Sequence, residues 1–226
     1  IVSDEIYSNI TYNGSKAYQL AEIIGNVPGI AMKGISKEFP WPGSRCGWLE
    51  FYNRDKDLEF NRLCSTLDNA KMIEVCSTTL PQMAIPKVMG DPRYVPYRQA
   101  ANESIGRRAR KIAEILSEVP ELIFNETYGA FYNTIVFKPG VLKPHQTLPI
   151  DNLELKSQVQ TWTEGVDLDT RFVYYLLAST GVCVVPISSF CSELQGFRVT
   201  LLEEDEALLD FIFTQIRDAV KNYLNS

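Results

Sequence analysis

The sequence predicts an α/β chain in two parts: a loop-rich segment over residues 1–94 and an α+β unit over residues 95–226. Three observations carry this. Strand-like and helix-like patterns interleave from end to end instead of segregating. One long amphipathic pattern, from about Val95 to Val119, lies between the parts and reads as a bridging helix. The stretch "GFRVTLLE" alternates with period two, and a helical pattern follows it directly. With 226 residues, 45% hydrophobic and 22% charged, the chain can fill one large core or two modest ones and is not disordered in composition.

In chain order, "IVSDEIYSNI" opens as a short apolar strand, read as buried, and runs into acidic and aromatic residues. "PGIAMKGISKEFPWPGSRCG" reads as loop because of its prolines and glycines. "WLEFYN" follows as a strand. A helix fits Phe60, Leu63, Leu67, Ala70 and Glu74, spaced three or four apart. "STTLPQMAIPKVMGDPRYVP" is expected to be broken by its four prolines. In the bridging helix Ala101, Ile105, Ala109, Ile112, Leu116 and Val119 share one face. Arg107, Arg108, Arg110 and Lys111 occupy the others, and Pro120 limits the helix.

"AFYNTIVFKPG" is a strand ending at Pro139-Gly140, and Val141 to Gly165 reads as an irregular excursion without periodicity. A helix starts near Asp167 or Asp169, either of which can cap it, and stops at Gly181. The buried strand "VCVVP" comes next. In "GFRVTLLE", Phe197, Val199 and Leu201 point one way and Arg198, Thr200 and Leu202 the other. The last helix starts among Glu203, Glu204, Asp205 and Glu206, with Leu209, Ile212, Ile216, Ala219 and Tyr223 as its buried stripe.

Composition excludes several classes. Lys and Arg total 22 against 28 Asp and Glu, a net charge of −6, and the basic group at Arg107, Arg108, Arg110 and Lys111 reads as a solvated helix face, so no nucleic-acid partner is expected. A single histidine, His145, excludes a multi-histidine metal site and argues against a Ser-His-Asp enzyme; no metal is expected. The five cysteines show no two-residue spacing and read as free, mostly buried thiols in a reducing, cytoplasmic setting. Phe172 to Ser192 is uncharged, but Gly181, Pro186 and its serines divide it into a helix end and a strand, so no membrane span is expected. The chain opens at Ile1-Val2 without an initiator Met or signal peptide, straight into a strand, and is expected to be the C-terminal part of something longer.

Four features invite chemistry: Asp4 and Tyr7 in "SDEIY", Lys37 after Ser36, Arg45 between Gly43 and Gly47, and Arg198 in mid-strand. Singly, each has a plain reading as turn former, solvated charge or surface ion pair. Together, "SDEIY", "SKEFPWPGSRCGW" and "GFRVTLLE" resemble the fold-type I pyridoxal-phosphate enzymes, the aspartate aminotransferase superfamily of classes I and II. There an Asp-x-x-Tyr pair precedes a Ser-Lys, an Arg in a Gly-x-Arg-x-Gly setting follows eight positions on, and a second Arg lies in a late strand. The segment "LLASTGVCVVPISSF" extends the likeness.

The resemblance implies a fold: residues 1–94 as the truncated C-terminal portion of a large cofactor-binding domain, and 95–226 as the small C-terminal domain. It implies pyridoxal 5'-phosphate as cofactor, with Lys37 as Schiff-base lysine and proton carrier. Asp4 would pair with the pyridine nitrogen, Tyr7 with the ring's phenolic oxygen, Arg45 would clamp the phosphate, and Ser36 would be a further cofactor-binding residue. Arg198 would take the substrate's α-carboxylate. Many relatives carry Ser or Thr three positions before the lysine; here it is Gly34. The implied reaction moves an amino group between an α-amino acid and a 2-oxo acid in a homodimeric parent, in which Thr78 and Thr79 can approach a neighbouring subunit's phosphate. The isolated chain, lacking the upstream pocket wall, is expected to be inactive. A lyase on the same scaffold and an aminotransferase-like effector domain of a transcription regulator are the alternatives.

Overall fold

In the computed structural model, which describes residues 1–75 and 77–226, the chain forms two compact units. Unit one comprises Ile1–Ser104 with Tyr128–Ala130, and unit two comprises Ile105–Thr127 with Phe131–Ser226. The sequence reading places the boundary at Tyr94; the units part ten residues later, inside one helix.

Unit one is built on a three-stranded sheet in the order β1 (Val2–Asp4), β2 (Gly29–Gly34), β3 (Gly47–Tyr52). β1 runs parallel to β2, and β3 runs antiparallel to it. β2 corrects the sequence reading, which has this stretch as loop. Gly29 of β2, and Gly47 where β3 opens beside it, are not turn signals but places of close backbone approach. A Cβ at Gly47 would sit 2.8 Å from the Lys33 carbonyl oxygen, and one at Gly29 would sit 3.1 Å from that of Ile1. β1 departs too from its reading as a buried strand: it is short, and Val2 is 66% exposed because β1 is the edge of this sheet. A short helix, α1 (Leu20–Ile23), places Leu20 and, just beyond its end, Ile24 against Ala31, with Tyr52 packed alongside.

Three helices complete the unit. α2 (Leu58–Met72) is capped by Asp57, which accepts from the Phe60 N–H. Of its residues only Cys64 is fully buried; of the expected stripe Phe60 and Leu67 are half-buried, Leu63 and Ala70 are exposed, and Glu74 lies beyond the end of the helix. α3 (Thr79–Met89) overturns the expectation of a broken segment. Pro81 lies in its first turn, where a backbone N–H has no helical partner to lose, and Pro86 removes one bond near the end without stopping the helix. α4 (Tyr94–Leu116) begins here and continues into unit two. Residues 128–130 return to this unit, with the Ala130 N–H donating to the Ile10 carbonyl.

Unit two holds an antiparallel sheet in the order β4 (Leu122–Phe124), β5 (Tyr132–Phe137), β7 (Gly196–Thr200), β6 (Val185–Pro186). β4 goes unrecognised in the sequence, and β6 is shorter than "VCVVP" suggests, with Val184 buried and Val185 39% exposed. α5 (Leu153–Trp162) lies inside the stretch read as irregular. It buries only Val159, so no apolar stripe betrays it, and its one clear mark is the Asn152 cap on the Leu155 N–H. α6 (Leu168–Thr180) ends at Gly181, whose φ of 76° is the left-handed conformation that glycine supplies. α7 (Glu206–Leu224) is capped by Asp205.

The core of this unit follows the expected pattern. Phe197, Val199 and Leu201 face inward, as do Ile112 and Leu116 of α4 and Leu209, Ile216 and Tyr223 of α7. Phe172 is its aromatic centre, with ring centroids 5.2 Å from Phe137, 5.5 Å from Phe197 and 5.2 Å from Tyr223. Lys111, on a polar face of α4, pairs with Asp210 at 2.7 Å.

No helix among the described residues is long and apolar enough to cross a membrane, and none of their His, Cys, Asp and Glu side chains cluster as metal ligands. The thiols depart from expectation. Cys64 is buried and Cys46 half-buried, but Cys183 and Cys191 are exposed; Cys76 lies outside the described residues.

Candidate functional site

The strand directions of unit one bring four of the singled-out residues to one end of its sheet. Asp4 closes β1 opposite Met32, two residues before the end of β2. Gly34 ends β2 opposite Gly47, the first residue of β3. The carboxyl ends of the parallel pair and the entrance to β3 therefore share an edge, and the loops carrying Tyr7, Lys37 and Arg45 all leave from it. In α/β sheets this is the edge where ligands bind.

The loop after β2 is held from both sides. Ile35 is fully buried, and the buried Glu38 accepts a 2.8 Å hydrogen bond from the Tyr94 hydroxyl. Burial, reinforced by Glu38, pushes the Tyr94 phenol well above its ordinary range. Phe39 packs edge-on against Tyr97 at 5.8 Å. Between these anchors Ser36 and Lys37 are half-buried in a turn. The Lys37 ammonium lies 5.8 Å from the centre of the Tyr7 ring, which joins residues thirty positions apart in sequence.

Asp4 is exposed at the sheet edge, and its Oδ1 accepts the Ile6 N–H at 3.1 Å, a turn that leaves its other oxygen to the outside. Arg45 ends a single 3₁₀ turn, Pro42–Ser44, in a left-handed conformation with φ of 49°. A non-glycine residue in that region is uncommon and marks a constrained position. Its Nη1 donates to the Pro42 carbonyl at 3.1 Å, and the side chain is otherwise exposed. Beside it, the Ser44 hydroxyl is buried without a hydrogen-bond partner among the described residues. A groove of about 890 Å³ starts at Arg45 and runs along β3 between α2 and α3, with Phe51, Leu67 and Ile85 in its wall.

The opposite face of the sheet carries a polar cluster that sequence reading misses. Lys33 lies 3.0 Å from Glu50 and 3.5 Å from the buried Glu5, and it donates to the Gln19 side chain at 3.0 Å. Trp48 and Tyr52 both donate to Glu50, and Glu5 accepts the Leu20 N–H. Its signal is present in the alternation of Trp48, Glu50 and Tyr52, but Lys33 joins it only once β2 is recognised as a strand.

This cluster sets a pH dependence. Burial alone would raise the Glu50 carboxyl, but hydrogen bonds from Tyr52, Lys33 and Trp48 outweigh it and hold the group below its ordinary 4.5. Burial and the bond to Glu50 push the Tyr52 phenol up to about 12. A lowered carboxylate stabilises the fold above its unfolded pKa and loses that contribution as pH falls through the folded one. A raised phenol does the reverse, so its contribution fades as pH climbs from 10 toward 12. The urea midpoint is expected to fall below pH 4.5 less steeply in Glu50→Gln than in wild type, with Tyr52→Phe removing part of the alkaline loss. Superimposable profiles across the three proteins would count against the cluster.

Arg198 belongs to unit two. In β7 it pairs with Thr134 of β5 on one side and Val185 of β6 on the other. Its guanidinium lies between two aromatic rings, 4.2 Å from the centre of Phe190 and 4.5 Å from that of Tyr132. Among the described residues it forms no ion pair with a carboxylate. A groove of about 520 Å³ adjoins it, bordered by Val185, Thr200 and Leu202. Stacked cations of this kind keep both edges of the fork open to a carboxylate.

These features meet in one family. Residues 1–212 match the model of aminotransferase class I and II, and the chain belongs to that family. It is 46% identical over all 226 residues to an uncharacterized aminotransferase of Methanocaldococcus jannaschii, of which it covers 52%. It is 33% identical over 134 residues to a tyrosine aminotransferase of Caenorhabditis elegans, covering 58% of this chain and 28% of that one. Among solved structures, alanine aminotransferase from Pyrococcus furiosus superposes with a TM-score of 0.76 at 25% identity over 97% of this chain and 49% of its own. The aspartate aminotransferase of Rhizobium meliloti shares the fold, with a TM-score of 0.73 at 23% identity over 98% of this chain and 49% of its own. The chain thus spans about half the length of the relatives that match it along its full length. The sequence resemblance to a fold-type I aminotransferase, and with it the α/β fold class, is therefore correct.

Proposed function

We propose that the full-length protein transfers amino groups between an α-amino acid and a 2-oxo acid with pyridoxal 5'-phosphate, and that this chain supplies the lysine, the ring partners and the carboxylate anchor. The single observation that carries this reading is the convergence of Asp4, Tyr7, Lys37 and Arg45 on one sheet end. Their donor chemistry fits the cofactor: a carboxylate for a pyridinium nitrogen, a phenol for a ring oxygen, an amine for an aldehyde, and a guanidinium for a phosphate. Ser36, and the buried unpartnered Ser44 hydroxyl beside Arg45, suit the phosphate end. When bound, pyridoxal 5'-phosphate supplies an electron sink for the charge left at a substrate α-carbon.

The chain's own residues do the rest. Asp4 keeps a proton on the ring nitrogen by offering it a carboxylate. Lys37 would hold the cofactor through its aldehyde and, as a free amine, would carry the proton taken from the substrate's α-carbon. The docking of Glu38 on Tyr94 fixes the turn that presents this amine. Arg198 takes the α-carboxylate with its forked guanidinium and so orients the α-C–H bond. Unit one is accordingly a part of the cofactor domain and unit two the small domain. We infer a cytoplasmic homodimer whose remaining pocket wall comes from the rest of the protein, so that these 226 residues alone do not turn over.

The test is chemical. The full-length protein is loaded with pyridoxal 5'-phosphate, reduced with borohydride and digested. The cofactor's mass is expected on the peptide carrying Lys37, and the unreduced protein should exchange its amino group with an amino acid in a single turnover. Label on another lysine, or none, would remove Lys37 from the role.

A further inference from the structure

We propose that Asp169 is a positioning residue that holds Arg198 and its aromatic clamp in register for carboxylate binding. The inference rests on the reading of Arg198 as carboxylate anchor and deepens it. Its basis is a fully buried carboxylate that ties together the segments around Arg198. Asp169 is completely buried in the first turn of α6, where a cap is the ordinary expectation. It is not the cap: Asp167 occupies that position. The Asp169 carboxylate turns instead toward two segments far along the chain, 19 and 27 residues away.

Each segment carries one part of the Arg198 site. Oδ2 accepts the Ser188 N–H at 2.9 Å and Oδ1 accepts the Ser188 hydroxyl at 2.7 Å. Ser188 lies in the 3₁₀ turn Ile187–Phe190, whose last residue stacks on the guanidinium. Oδ2 also accepts the Gly196 N–H at 3.2 Å, at the start of β7 and two residues before Arg198. The Thr170 N–H completes the set at 2.7 Å from Oδ1. The backbone N–H of Asp169 in turn donates to the side chain of Gln195, next to Gly196.

One carboxylate therefore fixes the strand that carries the cation and the turn that carries one of its two covering rings. The cost of burying it is met by four donors, an arrangement that is stable only while all of them stay in place. Loss of the carboxylate frees the turn and the strand end to move independently. The guanidinium then loses the fixed orientation that two-point binding requires. A purely structural role would show as lost stability alone.

The experiment uses the full-length protein loaded with pyridoxal 5'-phosphate. The twenty protein L-amino acids are screened for the change in cofactor absorbance, and the one binding wild type most tightly is the probe. Asp169→Ala is expected to raise its dissociation constant about tenfold or more. The cofactor's own dissociation constant should stay unchanged, because the residues read as holding it lie in unit one. Asp169→Asn should restore part of the affinity. Its amide oxygen can accept from the Ser188 and Gly196 N–H groups while its NH2 donates to the Ser188 hydroxyl, and the Thr170 N–H alone loses its acceptor. Ser188→Ala, which removes one of the four bonds to the carboxylate together with the 3.2 Å contact between the Ser188 and Thr170 hydroxyls, should raise the constant about threefold and decides the matter if Asp169→Ala fails to fold.

Arg198→Ala is the reference. If it leaves amino-acid binding unchanged, the anchor reading fails and the proposal falls with it. If it weakens binding while Asp169→Ala lowers only the melting temperature, the proposal alone is overturned. An unchanged constant in Ser188→Ala, where it is the deciding variant, overturns it equally.

Discussion

Lys37→Ala is expected to abolish amino-group transfer in the full-length protein, a loss of about 10⁴-fold or more given what a positioned acid–base group contributes. In the proposed mechanism two jobs fall on this one amine, and alanine can do neither. Tyr7, whose ring centre lies 5.8 Å from the ammonium, offers a phenol and a ring face, not a basic amine. The fold should survive, because Lys37 is half-buried in a turn whose anchors are Ile35 and Glu38. The measurement is a single-turnover reaction with the probe amino acid, read beside circular dichroism and the absorbance of the lysine-linked cofactor. That absorbance band should vanish while the melting temperature stays within a few degrees. A variant that keeps the band and a measurable rate would show that another lysine holds the cofactor.

The same geometry explains why the loops are so differently built. The Lys37 turn is tied down by a buried side-chain hydrogen bond and an aromatic pair, both reaching the start of α4. The Arg45 turn relies on backbone geometry, a left-handed residue at the end of a 3₁₀ turn. Gly34 departs from the family habit of Ser or Thr at that position. A Cβ there would come within 2.9 Å of Ile6 Cδ1 and 3.4 Å of the Cys46 carbonyl. A hydroxyl at position 34 would require Ile6 to shift, and the buried hydroxyl of Ser44 lies instead on the Arg45 turn.

What the sequence makes legible is what one local period can encode. α4, α7 and β7 repeat every 3.6 or two residues, and their buried positions fall where that repeat puts them. The spacing of Lys37 and Arg45 is legible because it follows a family habit. β2 is hidden because its glycines serve contacts with Ile1 and Ile6, and Gly47 of β3 a contact with Lys33, all of which appear only once the strands are paired. α3 is hidden by prolines placed where a helix tolerates them, and α5 by a polar face on nearly every side. The Lys33 cluster and the Asp169 ties are hidden for the reason that hides β2: the first joins residues from four separate segments and the second from three. Short-range pattern shows an acidic residue near a helix start, and only the fold shows which way it turns.

Gly196→Ala is expected to be the most damaging single methyl group in unit two. A Cβ at Gly196 would overlap the Ile135 carbonyl oxygen and come within 2.9 Å of Val136 Cα. Both are backbone atoms of the paired strand β5, held by the ladder and unable to swing aside as a side-chain end could. Strand β7 must separate from β5 locally or the residue must leave the ladder, at a cost of about 3 kcal/mol by the upper range for overpacked interiors. The damage does not stop at stability. Gly196 donates to the Asp169 carboxylate and stands two residues from Arg198, so its displacement removes a donor from a buried charge and shifts the guanidinium. Gly181→Ala makes the contrast. That glycine has open space around it and is needed only for its φ of 76°, so alanine there should cost about 1 kcal/mol. Denaturant midpoints of the two variants test the difference directly, and equal losses would mean that β7 can yield at Gly196 without leaving its register. Amino-acid affinity provides the second axis, since only Gly196→Ala is expected to weaken it, through the strand that carries Arg198.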